Sequence, residues 1–141
     1  MPPAKGETAP EDELDVLKLI KAVEDGFNQR DEKLIEEAVS DRLMDHSKYM
    51  GGVDLRQRLQ LVWQAIPDAR LTVDDYIVQG NTLACRWTIE GTHEGKIWAV
   101  PPSGKRVDLR GISLAYVQHG KATEYWEFPD VPGLISQLEG T

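Results

Sequence analysis

Between Glu13 and Phe27 the apolar residues Val16, Leu17, Ile20, Val23 and Phe27 return every three or four positions. That spacing stacks side chains on one face of a helix, and Asn28 is expected to end it. Asp31 can accept a hydrogen bond from the exposed amides of a first turn, so it predicts the N-cap of a second, shorter helix through Leu34, Ile35 and Ala38. A short extended piece over Arg42 to His46 and a flexible Lys48-Tyr-Met-Gly-Gly52 follow. A third helix then buries Leu55, Leu59, Val62, Trp63 and Ile66, and Pro67 helps to stop it.

Beyond Pro67 the period changes to two, and β-branched and aromatic residues become common, which predicts about four strands. Leu71, Val73 and Ile77 belong to the first; Gly80-Asn81 turns the chain into Leu83, Cys85, Trp87 and Ile89. Pro101-Pro-Ser-Gly104 breaks the chain before Val107 to Val117, Gln118-His-Gly-Lys121 turns it into Ala122 to Phe128, and Leu134, Ile135 and Leu138 suggest a weak final helix. Three helices followed by an antiparallel meander make an α+β fold with helices on one face of the sheet. A curved sheet of this kind can enclose an apolar pocket, and its lining residues must alternate along each strand. Leu109, Gly111, Ser113 and Ala115 then share one face, opposite Asp108, Arg110, Ile112, Leu114 and Tyr116. Tyr125 and Glu127 share a face opposite Glu124, Trp126 and Phe128.

The size of the chain, 141 residues with 40% hydrophobic content, suits one ordinary domain over 13–141 after a disordered lead-in over 1–12. A net charge of -8 argues against partners that are themselves polyanionic, whether nucleic acid or an anionic membrane surface. The expected partner is a small hydrophobic molecule. One cysteine, Cys85, forms no internal disulfide, and no apolar run has the length of a signal or transmembrane segment, so a cytoplasmic location is expected.

Candidate chemistry concentrates in Glu124-Tyr-Trp-Glu-Phe-Pro-Asp130, with three acids and three aromatics in seven residues. Glu127 beside Tyr125 on a pocket face is a candidate base, because desolvation strengthens a carboxylate as a proton acceptor. Asp130 after Pro129 is either a second carboxylate or the N-cap of the last helix. Asp108 and Arg110 are a structural ion pair or a charged pair reaching Glu127 or Asp130. Arg86, inside an apolar strand, either binds an anionic substrate group or pairs with an acid. His46 and His93 are candidate pocket residues and His119 belongs to a turn; no two histidines have ligand spacing, so no metal is expected. Trp63, Trp87, Trp98 and Trp126 offer flat walls for a polycyclic ligand or ordinary packing.

Several segments together resemble the SnoaL-like polyketide cyclases, within the nuclear transport factor-like cone folds. They are Leu43-Met-Asp-His46, Ile66-Pro-Asp-Ala-Arg-Leu-Thr-Val73, Gly91-Thr-His-Glu-Gly95, Pro101-Pro-Ser-Gly-Lys105, Arg110-Gly-Ile-Ser113, Glu124 to Asp130, and Gly133-Leu-Ile-Ser-Gln-Leu138. The resemblance implies a cone-shaped curved sheet packed on three N-terminal helices, a homodimer, and a pocket between sheet and helices. It implies ring closure of an aromatic polyketide by intramolecular aldol condensation, or hydroxylation of one, with neither metal nor flavin in the aldol step. The family's catalytic aspartate falls on Glu127 and its helper histidine on Ser113. The implied catalytic set is Glu127, Asp130 and Arg110, with His46, Trp63, Arg86, His93, Trp98, Ser113, Tyr125 and Trp126 around the substrate. A glutamate base reaches about one bond further than aspartate, and serine does not replace imidazole as an acid or base near neutrality. Two alternatives follow: a non-catalytic binding or dimerisation module, and water activation of the epoxide-hydrolase kind by an acid–arginine–acid set including Asp108 and Arg110.

Overall fold

A computed structural model of the chain describes residues 13–47, 54–97 and 100–139. The lead-in over 1–12, the Lys48 to Gly52 stretch and Trp98 lie outside the described residues. Helix α1 covers Glu13–Gln29 and α2 covers Glu32–Glu37; strand β1, Val39–Asp45, leads to α3, Leu55–Ala65. The strands β2, Arg70–Gln79, β3, Thr82–Thr92, β4, Arg106–Gln118, and β5, Lys121–Pro129, follow, and α4, Val131–Glu139, ends the described chain.

The helix signals act locally as expected. Asp31 caps α2 by accepting from the Lys33 amide, and Asp54 and Gln57 form a reciprocal capping box at the start of α3. Asn28 does not stop α1, which runs one residue further. Its amide instead donates to the Leu71 carbonyl and accepts from the Leu71 N–H, taking the place of a neighbouring strand at the edge of β2. Arg30, in the left-handed region at φ 59, reaches the carbonyls of Phe27, Pro67 and Ala69 and ties the α1–α2 turn to the start of β2. The last helix is firmly docked: the Gln137 side chain accepts from the Asp108 N–H and donates to the Asp108 carbonyl.

Strands β2 to β5 form the expected antiparallel meander, and the sheet order is β1-β5-β4-β3-β2. The fifth strand is a correction. The piece expected to be merely extended over Arg42 to His46 begins at Val39 and pairs with β5 in parallel, placing Asp45 opposite Tyr125. A parallel partner contributed from before the meander leaves no hairpin signature in sequence. Two bulges bend the sheet. Asp74 is the extra residue between Val73 and Asp75, and Thr123 the extra one between Ala122 and Glu124. The first reverses the alternation of β2, so that Ile77 turns outward, 70% exposed, while Tyr76 and Val78 pack inward.

Helices α1, α2 and α3 cover the inner face, where two hydrophobic clusters meet, one around Phe27, Ile66, Trp87 and Leu134, the other around Val16, Leu83 and Val117. Gly111 is required where β4 passes Trp87, because a Cβ there would run into the indole ring. Overpacking of this kind costs about 1–3 kcal/mol. Gly111→Ala is therefore expected to lower unfolding free energy by about that amount and to shift the tryptophan emission of the native state, both read in one denaturant titration.

Candidate active site

Between the inner sheet face and the helices lies a cavity of about 430 Å³. Its walls are Leu, Ile and Val side chains from α1, α3 and strands β2 to β4, together with Phe27 and Trp87. The volume falls in the range of small-ligand pockets. Polar groups enter at few points among the described residues, chiefly Arg58, Cys85, Lys96, Ser113, Tyr125 and Glu127.

Four of the inner residues form a continuous hydrogen-bonded chain. Trp87 Nε1–H donates to Ser113 Oγ at 2.8 Å, Ser113 Oγ lies 3.1 Å from the Tyr125 hydroxyl, and that hydroxyl donates to Glu127 Oε1 at 2.6 Å. Indole can only donate, and the single phenolic hydrogen is committed to the carboxylate. Ser113 must therefore give its hydrogen to Tyr125, and the chain runs in one direction, Trp87 to Ser113 to Tyr125 to Glu127. The register that opposes Ser113 to Glu127 and Ala115 to Tyr125 places the last three members on adjacent strands of one face.

On its other side Glu127 meets Arg58. The Arg58 Nε lies 3.7 Å from Glu127 Oε2, and its Nη2 lies 2.7 Å from Asp45 Oδ2. The arginine side chain is only 3% exposed. The two carboxylates, half-buried themselves, face this buried cation and offset part of the cost of taking its charge out of water. Neither Arg58 nor Asp45 was among the residues expected from sequence. A signal existed: Arg58 stands three residues after Leu55 and four before Val62, on the apolar stripe of α3.

The remaining expected site residues are placed elsewhere. Arg110 and Arg86 project from the outer face, paired with Asp108 at 3.6 Å and Asp74 at 3.8 Å. The strict alternation of β3 and β4 puts both opposite the cavity. Asp130 caps α4, accepting from the Gly133 N–H at 2.9 Å. Trp126 is also on the outer face, stacked on His46 with ring centres 4.6 Å apart, and His46 Nε2 bonds to Glu124 Oε1 at 2.8 Å. Trp63 turns from the cavity to pack against Phe27 and under the Arg30 guanidinium. His93, fully buried, holds the β3–β4 connection through Ser103. Glu127, Tyr125 and Ser113 remain as the expected residues that line the cavity. The acid–arginine–acid set is not built on Asp108 and Arg110; the one at the cavity wall joins Arg58 and Glu127, which line it, to Asp45 behind them. Among the described residues no three His, Cys, Asp or Glu side chains come together as a metal site.

Burial shapes the titration of two inner groups. It pushes the Cys85 thiol up to about 11, with the nearby Glu127 charge adding to the rise. Burial, and then the Glu127 charge, hold the Tyr125 hydroxyl well above its usual range. Both groups are neutral near pH 7, so Tyr125 remains a hydrogen donor.

An apolar chamber closed by three helices and an inward-curving sheet, with a directed donor chain ending on a carboxylate, is an α+β cone fold with a hollow apolar interior. The profile of the SnoaL-like polyketide cyclase family matches residues 17–138, and the chain belongs to that family. No curated protein matches it by sequence. Among solved structures, TsrD from Streptomyces laurentii superposes with a TM-score of 0.83 at 23% identity, covering 93% of this chain and 99% of that one. AclR, a candidate hydroxylase from Streptomyces galilaeus, gives 0.81 at 22% identity over 90% and 86% of the two chains. IdmH, a candidate polyketide cyclase from Streptomyces antibioticus, gives 0.80 at 22% over 89% and 99%. At these identities the likeness is one of fold.

The raised thiol and phenol have a measurable consequence. The folded state keeps the Cys85 proton from the ordinary value of 9.0 to about 11, whereas the unfolded chain loses it. Stability contributed by this group is complete below that window and is lost as pH rises through it. Denaturant unfolding is expected to show stability falling by on the order of 1 kcal/mol per pH unit there. Cys85→Ala should flatten that limb, and Tyr125→Phe should flatten its continuation above it.

Proposed function

We propose that the protein is an acid–base enzyme acting on a hydrophobic polycyclic ketone of the polyketide kind, with Glu127 as the base. The observation that carries this reading is the directed chain itself: a carboxylate in an apolar chamber, oriented by the Tyr125 hydroxyl and by Arg58. Removal of a proton from carbon next to a carbonyl needs a positioned base and a donor for the oxygen that becomes an enolate. Glu127 takes the proton, and the Tyr125 hydroxyl, then facing a neutral acid, turns its hydrogen toward the enolate oxygen. The enolate carbon attacks a second carbonyl of the same molecule, and the alkoxide formed takes the proton back from Glu127. Atoms and charge balance with neither metal nor flavin. With dioxygen and a two-electron reductant as co-substrates the same carbanion leads to hydroxylation: it adds to dioxygen to give a hydroperoxide, which the reductant converts to the alcohol and water. Ser113, at the position of the family's helper histidine, serves as a relay that keeps Tyr125 supplied with a donor.

The test uses a polycyclic β-diketone as probe in deuterated buffer, with exchange of its acidic hydrogen followed by mass spectrometry. The protein is expected to accelerate exchange on the order of 100-fold or more, and Glu127→Gln to abolish the acceleration. Equal exchange by that variant removes Glu127 from the chemistry. Tight binding without exchange by the parent protein makes it a carrier.

We also propose that the outer sheet face pairs with a second copy of the chain. Ile77, Ala84, Leu114 and Trp126 stand in one cross-strand row, beside Ile112 and Phe128 in the next. Phe128 is 66% exposed. The ion pairs Arg86–Asp74 and Arg110–Asp108 lie beside this patch, the arrangement of an apolar centre with a polar rim that association surfaces have. Phe128→Glu is expected to halve the sedimenting mass while leaving the cavity intact; an unchanged mass places the dimer contact elsewhere.

A further inference from the structure

Glu127 shares its guanidinium. Asp45 from β1 lies at Nη2 of Arg58 and Glu127 from β5 at its Nε, and the strand register that opposes Asp45 to Tyr125 fixes their relative positions. Asp45 is held in turn by the Ser47 N–H, which donates to its Oδ1 at 2.9 Å. The set carries two negative charges against one positive. Among the described residues, Tyr125 on the same strand bonds to Glu127, Cys85 on β3 feels its charge, and Lys96 from the β3–β4 connection lines the same cavity. His46 is turned away to Glu124.

We infer that Arg58 is a positioning residue that fixes the direction and charge of Glu127, and that Asp45, by sharing the same cation, sets how strongly that charge is held. This rests on the reading of Glu127 as the base. Asp45 sets a second negative charge beside the guanidinium that Glu127 faces. Neutralising Asp45 removes that repulsion and leaves Arg58 unopposed, so Glu127 would stay ionised to lower pH and become a weaker base. Neutralising Arg58 leaves two half-buried carboxylates without their common cation, and Glu127 takes up a proton at higher pH. The two changes therefore act in opposite senses. A purely structural role for either residue predicts no such opposition.

The experiment is a titration of the glutamate side-chain carboxyls of the full chain by isotope-edited NMR, with Glu127 assigned by its loss in Glu127→Gln. Relative to the parent protein, Asp45→Asn should move the Glu127 transition to lower pH and Arg58→Gln to higher pH, each by about one pH unit or more. Transitions that stay in place, or move in the same direction, overturn the inference. If Arg58→Gln does not fold, Asp45→Asn decides alone, because asparagine keeps the size of the side chain; a transition that stays or rises in that variant refutes the coupling. The titration needs no substrate, so its failure is distinct from failure of the proposed function. Opposite displacements together with full carbon-acid exchange by Glu127→Gln would keep the coupling and discard the base.

Discussion

An indole N–H can only donate, and the direction of the whole inner network follows from that constraint. Trp87 gives its hydrogen to Ser113, so Ser113 gives its own to Tyr125, and Tyr125 to Glu127. Hydrogen bonds in a low-dielectric interior strengthen one another, and an unpaired member there is costly. The carboxylate at the end of this chain is thus held in one orientation before any ligand arrives. Gly111 makes room for the indole, and the close fit of ring over backbone keeps the first donor aimed.

The sheet supplies the frame. Period-two alternation puts Ser113, Tyr125 and Glu127 on one surface, while the bulges at Asp74 and Thr123 curve that surface around the chamber. Helix α3 closes it and delivers Arg58 from an otherwise apolar stripe. The outer face carries a different chemistry: exposed Ile77, Ile112 and Phe128, ion pairs at the margin, and the His46–Trp126 stack. The difference between the two faces follows directly from strand geometry, with the apolar cavity inside and the exposed apolar patch outside.

Much of this was legible in the residues. Alternation alone separated Tyr125 and Glu127 from Glu124, Trp126 and Phe128, and placed Ser113 opposite Asp108 and Arg110. The turns at Gly80 and at His119-Gly120 were equally plain, since each needs a positive φ. What escaped were interactions fixed by distant packing. β1 escaped because a parallel edge strand has no local signature, and Asp45 with it. Arg58 escaped because an arginine in a helix reads as solvated, although its spacing from Leu55 and Val62 put it on the buried side. Ile77 changed face because a single inserted residue, Asp74, reverses the alternation. His93 and Trp63 were expected around the substrate, but neither lines the cavity, and their partners, Ser103 in one case and Phe27 with Arg30 in the other, lie where only the fold brings them.

On the proposed function, substrate carbon meets Glu127 in the inner cavity. The most direct test is a crystal structure of the protein with a non-reactive polycyclic ketone bound. The ligand should lie between α3 and the inner sheet face, with the carbon next to its carbonyl about 3.5 Å from a Glu127 oxygen and the carbonyl oxygen within hydrogen-bonding reach of Tyr125. A ligand bound on the outer face, or one whose carbonyl is turned away from both residues, would contradict it.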